Sequence, residues 1–420
     1  MSLNILVAPS GFKEGLDARA VAAAIARGAA RALPAATISQ LPLMDGGEGF
    51  TRALVDTTKG MLHTVEATDP LGRVIAAQIG FLGGTPTKTA VIEIAAAAGL
   101  RLVAPAERDL ARASSAGVGH LIRHALDLGA RRILIGSGDS GVSDAGVGLA
   151  RVLGARFLDH AGTEIEDGGL ALRALTTIDL SQLDPRLATT DIEIAVNRKN
   201  ALLGRRGVSR VYGPQKGASA ELIAALDEAL SRFAQVVNST TGRNIAAQPG
   251  AGASGGIGAG LAGLCGARLV PRFEIIQRYL PFEEQLAQAD LVLTAEGTID
   301  RQSARGKIPA EVAARARVKG IPVIVLAGAI GCGANEVLAT GVSAYFSITP
   351  CPMTLEQSMC DASRLLEAAT EQVVRCFYAG FRTASRRPAQ MTPELTMGWR
   401  GTASGDQRFQ ALRSAAYRLA

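Results

Sequence analysis

The chain has 420 residues, more than one hydrophobic core usually covers, so two domains are expected. Hydrophobic residues make up 48% and aromatics only 4%, a composition suited to parallel sheets flanked by helices and filled by alanine, valine, leucine and isoleucine. Most of the net charge of +6 comes from the last stretch of the chain, where from Arg382 onward seven arginines face two acids, so the near-neutral body offers no basic groove for nucleic acid.

Asn4 to Pro9 (NILVAP) reads as a buried parallel strand that ends in the loop SGFKEG, with Ser10 and Lys13 at the strand end. Leu16 to Leu33 has helical spacing with Asp17 as its N-cap. Thr37 to Leu43 is a second strand, followed by MDGGEG (Met44 to Gly49) and a helix from Phe50 to Thr57. This β-α-β-α alternation places polar, glycine-bearing loops at the carboxyl ends of strands, where open α/β sheets hold ligands. The pattern then changes. His63 to Asp69, Arg73 to Phe81 and Thr89 to Ile94 form three β-rich runs joined by short turns, which predicts an antiparallel meander.

A helix from Ser115 to Leu128 and a strand from Arg132 to Ile135 lead into GSGDSGVSDAG (Gly136 to Gly146), then a helix to about Leu153. Ile192 to Val196 is a strand ending at NRKN, followed by an arginine-rich loop and GPQKG (Gly213 to Gly217). Ser219 to Phe233 reads as a helix. Next comes PGAGASGGIGAGL (Pro249 to Leu261), six glycines in thirteen positions, running into a helix at Ile257. From Ala289 the β-α alternation resumes, with strands at Leu291 to Thr294, Pro322 to Leu326 and Gly341 to Ile348, and helices at Ile308 to Val318 and Leu355 to Phe377. The expected architecture is a parallel-sheet α/β domain built from both chain ends (1–64 and 285–381), an inserted mixed α/β domain (65–284), and a basic C-terminal tail (382–420). The cleft between two such domains is the expected place for a small-molecule site.

Five loops carry chemistry. In the glycine run, Gly250, Gly252, Ser254, Gly255, Gly256 and Gly258 can turn successive amides inward to hold a nucleotide phosphate at a helix N-terminus. Lys216 in GPQKG, with Arg210 just upstream, supplies positive charge suited to a transferring phosphoryl group. Asp45 and Glu48 in MDGGEG, and Glu296 and Asp300 in AEGTID, are carboxylates for Mg²⁺ or an incoming hydroxyl. Asp139 and Asp144 lie in GSGDSGVSDAG, with helix capping the reading favoured for Asp144. His120 and His124 stand at i and i+4 without the glutamate of a zinc protease motif, and there is no nucleophile elbow or Walker lysine. Five cysteines without a CxxC pair, and no run suited to crossing a bilayer, lead to the expectation of a soluble, reduced, cytoplasmic protein.

The markers APSGFKEG, LPLMDGGEG, TDPLG, GPQKGA, PGAGASGGIGAGL, EGTID with RGK, and VLAGAI, in this order from Asn4 to about Ala379, resemble the two-domain bacterial glycerate kinase family. The resemblance implies a flavodoxin-like domain and a second, restriction-enzyme-like domain. It also implies ATP-dependent, Mg²⁺-assisted phosphorylation of D-glycerate, most often to 2-phosphoglycerate, with no nucleic acid or membrane partner. Transferred onto this sequence, Asp45, Lys216 and Asp139 become catalytic, Ser10, Lys13 and Arg210 bind substrate, and Asp45, Glu296 and Asp300 hold the metal. The sequence departs from the common family pattern at Asn197, where many members carry aspartate, and at Ala201 in place of proline. Asp139 is an added carboxylate. A related hydroxy acid as substrate is the alternative, and a nicotinamide-dependent 2-hydroxy-acid dehydrogenase is a rival that lacks the β-α-β context its glycine motif needs.

Overall fold

The computed structural model describes residues 3–12, 15–44 and 46–386; Lys13, Asp45 and most of the basic tail lie outside them. Thirteen strands occur among the described residues: β1 Asn4–Val7, β2 Thr37–Gln40, β3 Met61–Thr68, β4 Val74–Phe81, β5 Thr89–Glu93, β6 Arg132–Gly136, β7 Arg156–Leu158, β8 Thr177–Asp179, β9 Asp191–Val196, β10 Arg268–Pro271, β11 Leu291–Ile299, β12 Val323–Ile330 and β13 Ala344–Ser347. They divide between two compact units, one formed by residues 3–43 with 282–386 and the other by residues 44–281.

The first unit holds a five-stranded, all-parallel sheet in the order β13-β12-β11-β1-β2. Counted within the unit this is the order 2-1-3-4-5, the doubly wound arrangement of flavodoxin. Its central strands β1, β11 and β12 are apolar and largely buried, whereas the edge strands β2 and β13 are partly exposed. Ile5, Val7, Leu293 and Leu326 pack with Ile25 and Leu366 of two helices that cover the sheet. The helix Ala18–Ala32 starts where Asp17 accepts the Ala20 amide at 2.7 Å, which is the N-cap the sequence signals. It crosses the helix Ala362–Arg386 at Gly28, where a Cβ would fall 2.3 Å from the Glu367 carbonyl oxygen, so the backbones approach only because that position is glycine. Glu367 then pairs with Arg27 and Arg31 at 2.7 and 2.6 Å.

The second unit holds a six-stranded mixed sheet, β10-β9-β6-β5-β4-β3. Strands β3, β4 and β5 form the antiparallel meander, and β5, β6, β9 and β10 run parallel. The helix Phe50–Thr58 packs on β4 and β5 of this sheet. A Cβ on Gly80 of β4 would lie 2.3 Å from Val55, and Phe50 and Leu54 are wholly buried. The chain therefore passes into the second unit after Leu43, earlier than the boundary at 64 expected from the sequence. It returns at Phe282, close to the expected 285.

Three other expectations shift. β11 and β12 continue well past Thr294 and Leu326, so Glu296 lies within a strand rather than in a loop beyond it. The long helix near the chain end is broken at Asp361 into Leu355–Cys360, opened by a Thr354–Gln357 capping box, and Ala362–Arg386. The β7–β8 hairpin and β10, which is short and ends in proline, carry too few apolar residues to register as strands by pattern. Among the described residues, no helix is long and apolar enough to cross a membrane.

Candidate functional site

In the second unit the parallel strands β5 and β6 run through apolar residues to Glu93 and to Gly136–Ser137, and β9, which carries the buried Glu193 paired with Arg268 and Arg278, leads into Asn197. The loops MDGGEG and GSGDSGVSDAG interlock there. A Cβ on Gly136 would stand 2.6 Å from the Gly46 carbonyl oxygen, and one on Gly138 would stand 2.7 Å from Gly47. The paired glycines thus serve close approach of two backbones. Asp45 itself falls outside the described residues.

Asp139 takes a left-handed conformation (φ +49) at the crest of its loop. Such strain in a non-glycine residue is found where a site over-determines the backbone. Its Oδ2 accepts the Glu48 amide at 3.3 Å, and its carbonyl accepts the Leu100 amide at 2.8 Å. Glu48 in turn meets Arg101 Nε at 2.5 Å. Sequence reasoning missed Glu93, which ends β5 and accepts the Thr51 amide at 3.1 Å as well as that of Gly49, capping the helix Phe50–Thr58 from outside. Burial pushes its carboxyl above the ordinary range; the two amides pull it back, and the charges of Glu48 and Asp139 act with burial. The available signal was a lone acid closing the apolar run AVIE.

The second half of the loop is fixed by Asp144, which is wholly buried. It accepts the amide and hydroxyl of Ser115 at 2.8 and 2.7 Å and the amides of Gly146 and Gly148 at 3.1 Å each. Capping of the helix Val147–Val152 is thus its role, as the sequence suggests. Burial raises its pKa in spite of four donors. Lys216 is buried too, at 5% exposure, and its Nζ donates to the Val142 carbonyl at 2.8 Å and the Ser140 hydroxyl at 3.1 Å. Burial lowers its pKa to about 7, with the Asp144 charge pulling the other way. This lysine, read from sequence as a cation for a transferring phosphoryl group, is hydrogen-bonded to the neighbouring loop.

The glycine run lies against that same loop. Gly255 sits where a Cβ would be 2.0 Å from the Val142 carbonyl oxygen, and the Ala145 amide donates to the Gly255 carbonyl at 3.2 Å. Most of the run's amides are already hydrogen-bonded within the protein. Gly252 donates to the Asn200 carbonyl, Gly258 to Ala253 and Ala259 to Ala251, while Gly250 packs on Val196. The anion cradle expected over Gly250 to Gly258 therefore contracts to Ser254, Gly255 and Gly256. These three are successively left-handed (φ +52, +70, +90) and directly precede the helix Ile257–Leu264. Their amides make no hydrogen bond within the described protein, and the buried Ser254 Oγ has no partner either. Three unbonded amides and an orphaned hydroxyl at a helix N-terminus form an arrangement chemically able to donate to an anion's oxygens.

The other sequence-predicted residues are differently engaged. Arg210 is tied to Asp227 Oδ2 at 2.8 and 3.1 Å, joining the helices Val208–Tyr212 and Ala220–Thr241. Asn197 Oδ1 accepts the Lys199 amide at 3.0 Å in a turn of its own. In the first unit, Ser10 is buried and donates to the Ala295 carbonyl at 2.9 Å. Glu296 pairs with Lys307 at 2.6 Å and accepts the Ser303 hydroxyl at 3.2 Å. Asp300 caps the turn Ser303–Arg305 by accepting the amides of Gln302 and Ser303 at 2.7 and 3.2 Å. Glu296 is engaged by lysine and hydroxyl and Asp300 by a cap, and among the described residues no three potential ligands are gathered for a metal ion. The spacing in AEGTID serves the local turn. Lys13 lies outside the described residues. Asp139, Lys216 and Ser254–Gly256 are the predicted residues that one unit gathers through a single loop.

The glycerate kinase family model matches residues 5–378. The chain is 40% identical over 370 residues to a glycerate kinase of Halalkalibacterium halodurans, covering 88% of this chain and 97% of that one. It is 40% identical over 382 residues to glycerate 2-kinase of Escherichia coli, covering 91% and 100%. A solved structure attributed to glycerate kinase 2 of Salmonella typhimurium LT2 superposes with a TM-score of 0.72 at 42% identity, covering 91% of this chain and 100% of that one.

Proposed function

The chain belongs to the glycerate kinase family, and from that premise we propose that it transfers the γ-phosphoryl group of ATP to D-glycerate, giving 2-phosphoglycerate. The observation that carries the reading is the set of unbonded amides at Ser254, Gly255 and Gly256 leading into the helix Ile257–Leu264. There the nucleotide's phosphate oxygens find three N–H donors and the positive end of a helix. Lys216 holds the loop Ser140–Val142 against this turn, so the donors stay aimed while charge moves. That is the contribution phosphoryl transfer asks of a protein, because its loose transition state needs positioning and electrostatic support more than covalent chemistry.

Asp139, raised on a strained crest beside Glu48, is the group proposed to take the proton of the attacking hydroxyl. The roles proposed for Lys13 on the acid's carboxylate and for Asp45 as base or metal ligand follow from their motifs. A Mg²⁺ ion accompanying the nucleotide would neutralise phosphate charge, with Asp45 the carboxylate that would hold it by its motif. The test is ATP consumption by the purified chain with D-glycerate, L-glycerate and tartronate, with phosphorus NMR locating the new ester. Phosphate on the 3-hydroxyl would correct the product, and ATP consumption with none of the three acids would overturn the reading.

A further inference from the structure

The loop 139–144 of the second unit is gripped from two sides. On one side Lys216 donates to the Ser140 hydroxyl and to the Val142 carbonyl. On the other, the segment 98–102 runs antiparallel to the loop. Gly99 bridges Ser140, the Leu100 amide donates to the Asp139 carbonyl, and the Gly141 amide donates to the Ala98 carbonyl, both at 2.8 Å. A Cβ on Gly141 would stand 3.0 Å from the Leu100 Cα, so the two backbones lie in contact. These bonds bracket Asp139, whose left-handed backbone (φ +49) needs its surroundings to hold it.

The segment 98–102 is held in turn by the motif TDPLG and the arginine that follows it, at the turn between β3 and β4. Asp69 is 2% exposed. Its Oδ1 accepts the amides of Leu71 and Arg73 at 2.8 and 3.0 Å, and its Oδ2 accepts Arg73 Nε at 2.6 Å. The last bond orients the guanidinium, which then donates from Nη1 to Glu107 at 3.2 Å and from Nη2 to the Leu102 carbonyl at 3.3 Å. The same turn reaches the far end of the loop. The Pro70 carbonyl accepts the Ser114 amide at 2.9 Å, and the adjacent Ser115 donates its amide and hydroxyl to Asp144.

We propose that Arg73 is a positioning residue for phosphoryl transfer: fixed by Asp69, it holds Leu102 so that the segment 98–102 keeps Asp139 in place to receive the hydroxyl proton. The inference rests on the kinase reading above and deepens it. Arg73 acts through Asp139. Its ion pairs are half exposed and add little to stability, whereas a proton acceptor displaced by about 1 Å loses rate steeply.

The experiment compares the full-length wild type with Arg73→Gln, Asp139→Asn and the double variant, using ATP and D-glycerate. Arg73→Gln should stay folded, because Asp69 keeps its bonds to two amides. The expected result is a kcat lowered about tenfold, with the KM for either substrate held within about twofold. On the Asp139→Asn background the same change should cost less than about twofold, since the group it positions is already lost. An unchanged kcat, or a tenfold loss that persists in the double variant, overturns the assignment. Should Arg73→Gln not fold, Arg73→Lys takes its place, keeping the charge beside Asp69 without the planar fork that spans to Leu102. Hydrogen exchange reads the same contact without turnover. The amides of Leu100 and Gly141 should exchange about tenfold faster in the variant, while those of the helix Ala220–Thr241 keep their rates. If the wild type phosphorylates no hydroxy acid, the kinase reading fails by itself and exchange decides: acceleration at those two amides upholds the hold of Arg73 on Asp139, and unchanged or uniformly faster rates overturn it.

Discussion

The Lys216 ammonium lies 2.8 Å from the Val142 carbonyl, the same carbonyl against which Gly255 is packed too closely for any side chain. One backbone oxygen thus couples a buried lysine to the turn proposed to hold phosphate, and the consequences of disturbing either partner can be worked out.

Replacing Lys216 by methionine removes the pin while keeping the volume. Activity should fall by about a hundredfold or more, on the scale seen when preorganised electrostatics is lost. Stability should behave otherwise, because the lysine is buried without a carboxylate in contact. Unfolded, it holds its proton to about 10.5; folded, it gives it up near 7. Between these values the unfolded chain binds more protons, so this group makes stability rise with pH, by on the order of several kcal/mol over the whole span. Melts at pH 7 and pH 9 should show the wild type gaining on Lys216→Met; parallel shifts in the two proteins would refute the linkage.

Gly255→Ala should be severe. Its Cβ would meet the Val142 oxygen at 2.0 Å, and the backbone is left-handed. We expect a loss of at least about 2–3 kcal/mol from overpacking and strain together. Ser254→Gly is the informative contrast, because it relieves a left-handed serine and removes an orphaned hydroxyl. It should gain about 0.5–1 kcal/mol in denaturant titration while raising the KM for ATP several-fold. A Ser254→Gly protein with unaltered ATP affinity would take that hydroxyl out of the phosphate site.

Asp139→Asn tests the proton acceptor. Asparagine tolerates the left-handed region as well as aspartate does, so the fold should persist. We expect kcat lowered by about 10²-fold with nucleotide affinity intact, measured by equilibrium titration alongside turnover. A near-normal kcat would leave the role to Asp45.

Asp144→Ala separates scaffold from chemistry. Four donors converge on that carboxylate in a buried setting, and leaving them unmet should cost about 3–5 kcal/mol. Chemical denaturation should show the loss directly. A stable, inactive Asp144→Ala protein would instead place Asp144 in the reaction.

Much of this was legible in the sequence because glycine and aspartate mark strand ends so plainly. The caps at Asp17 and Asp144, the meander, and the return of the chain to the first sheet near 285 all follow from period and punctuation. What the sequence hid was partnership. The helix Phe50–Thr58 has the same amphipathic face whichever sheet it covers, so its place over β4 and β5 could not be read from its own residues. The glycine run looked open because glycines expose amides in principle, yet those of Gly252 and Gly258 are spent on nearby carbonyls. The burial of Lys216 could not be read from its small neighbours, because the loop that buries it lies about seventy positions earlier.

The strand order of the first unit also bears on how the chain is made. Val7 pairs with Leu293, so the N-terminal strands emerge from the ribosome long before their neighbours exist. At about 5–20 residues per second that wait is on the order of tens of seconds. The contiguous stretch from 44 to 281 meanwhile has its whole sheet in hand. During synthesis the leading segment therefore needs protection against misassociation, and a truncation anywhere before β11 would strand it without a sheet to join.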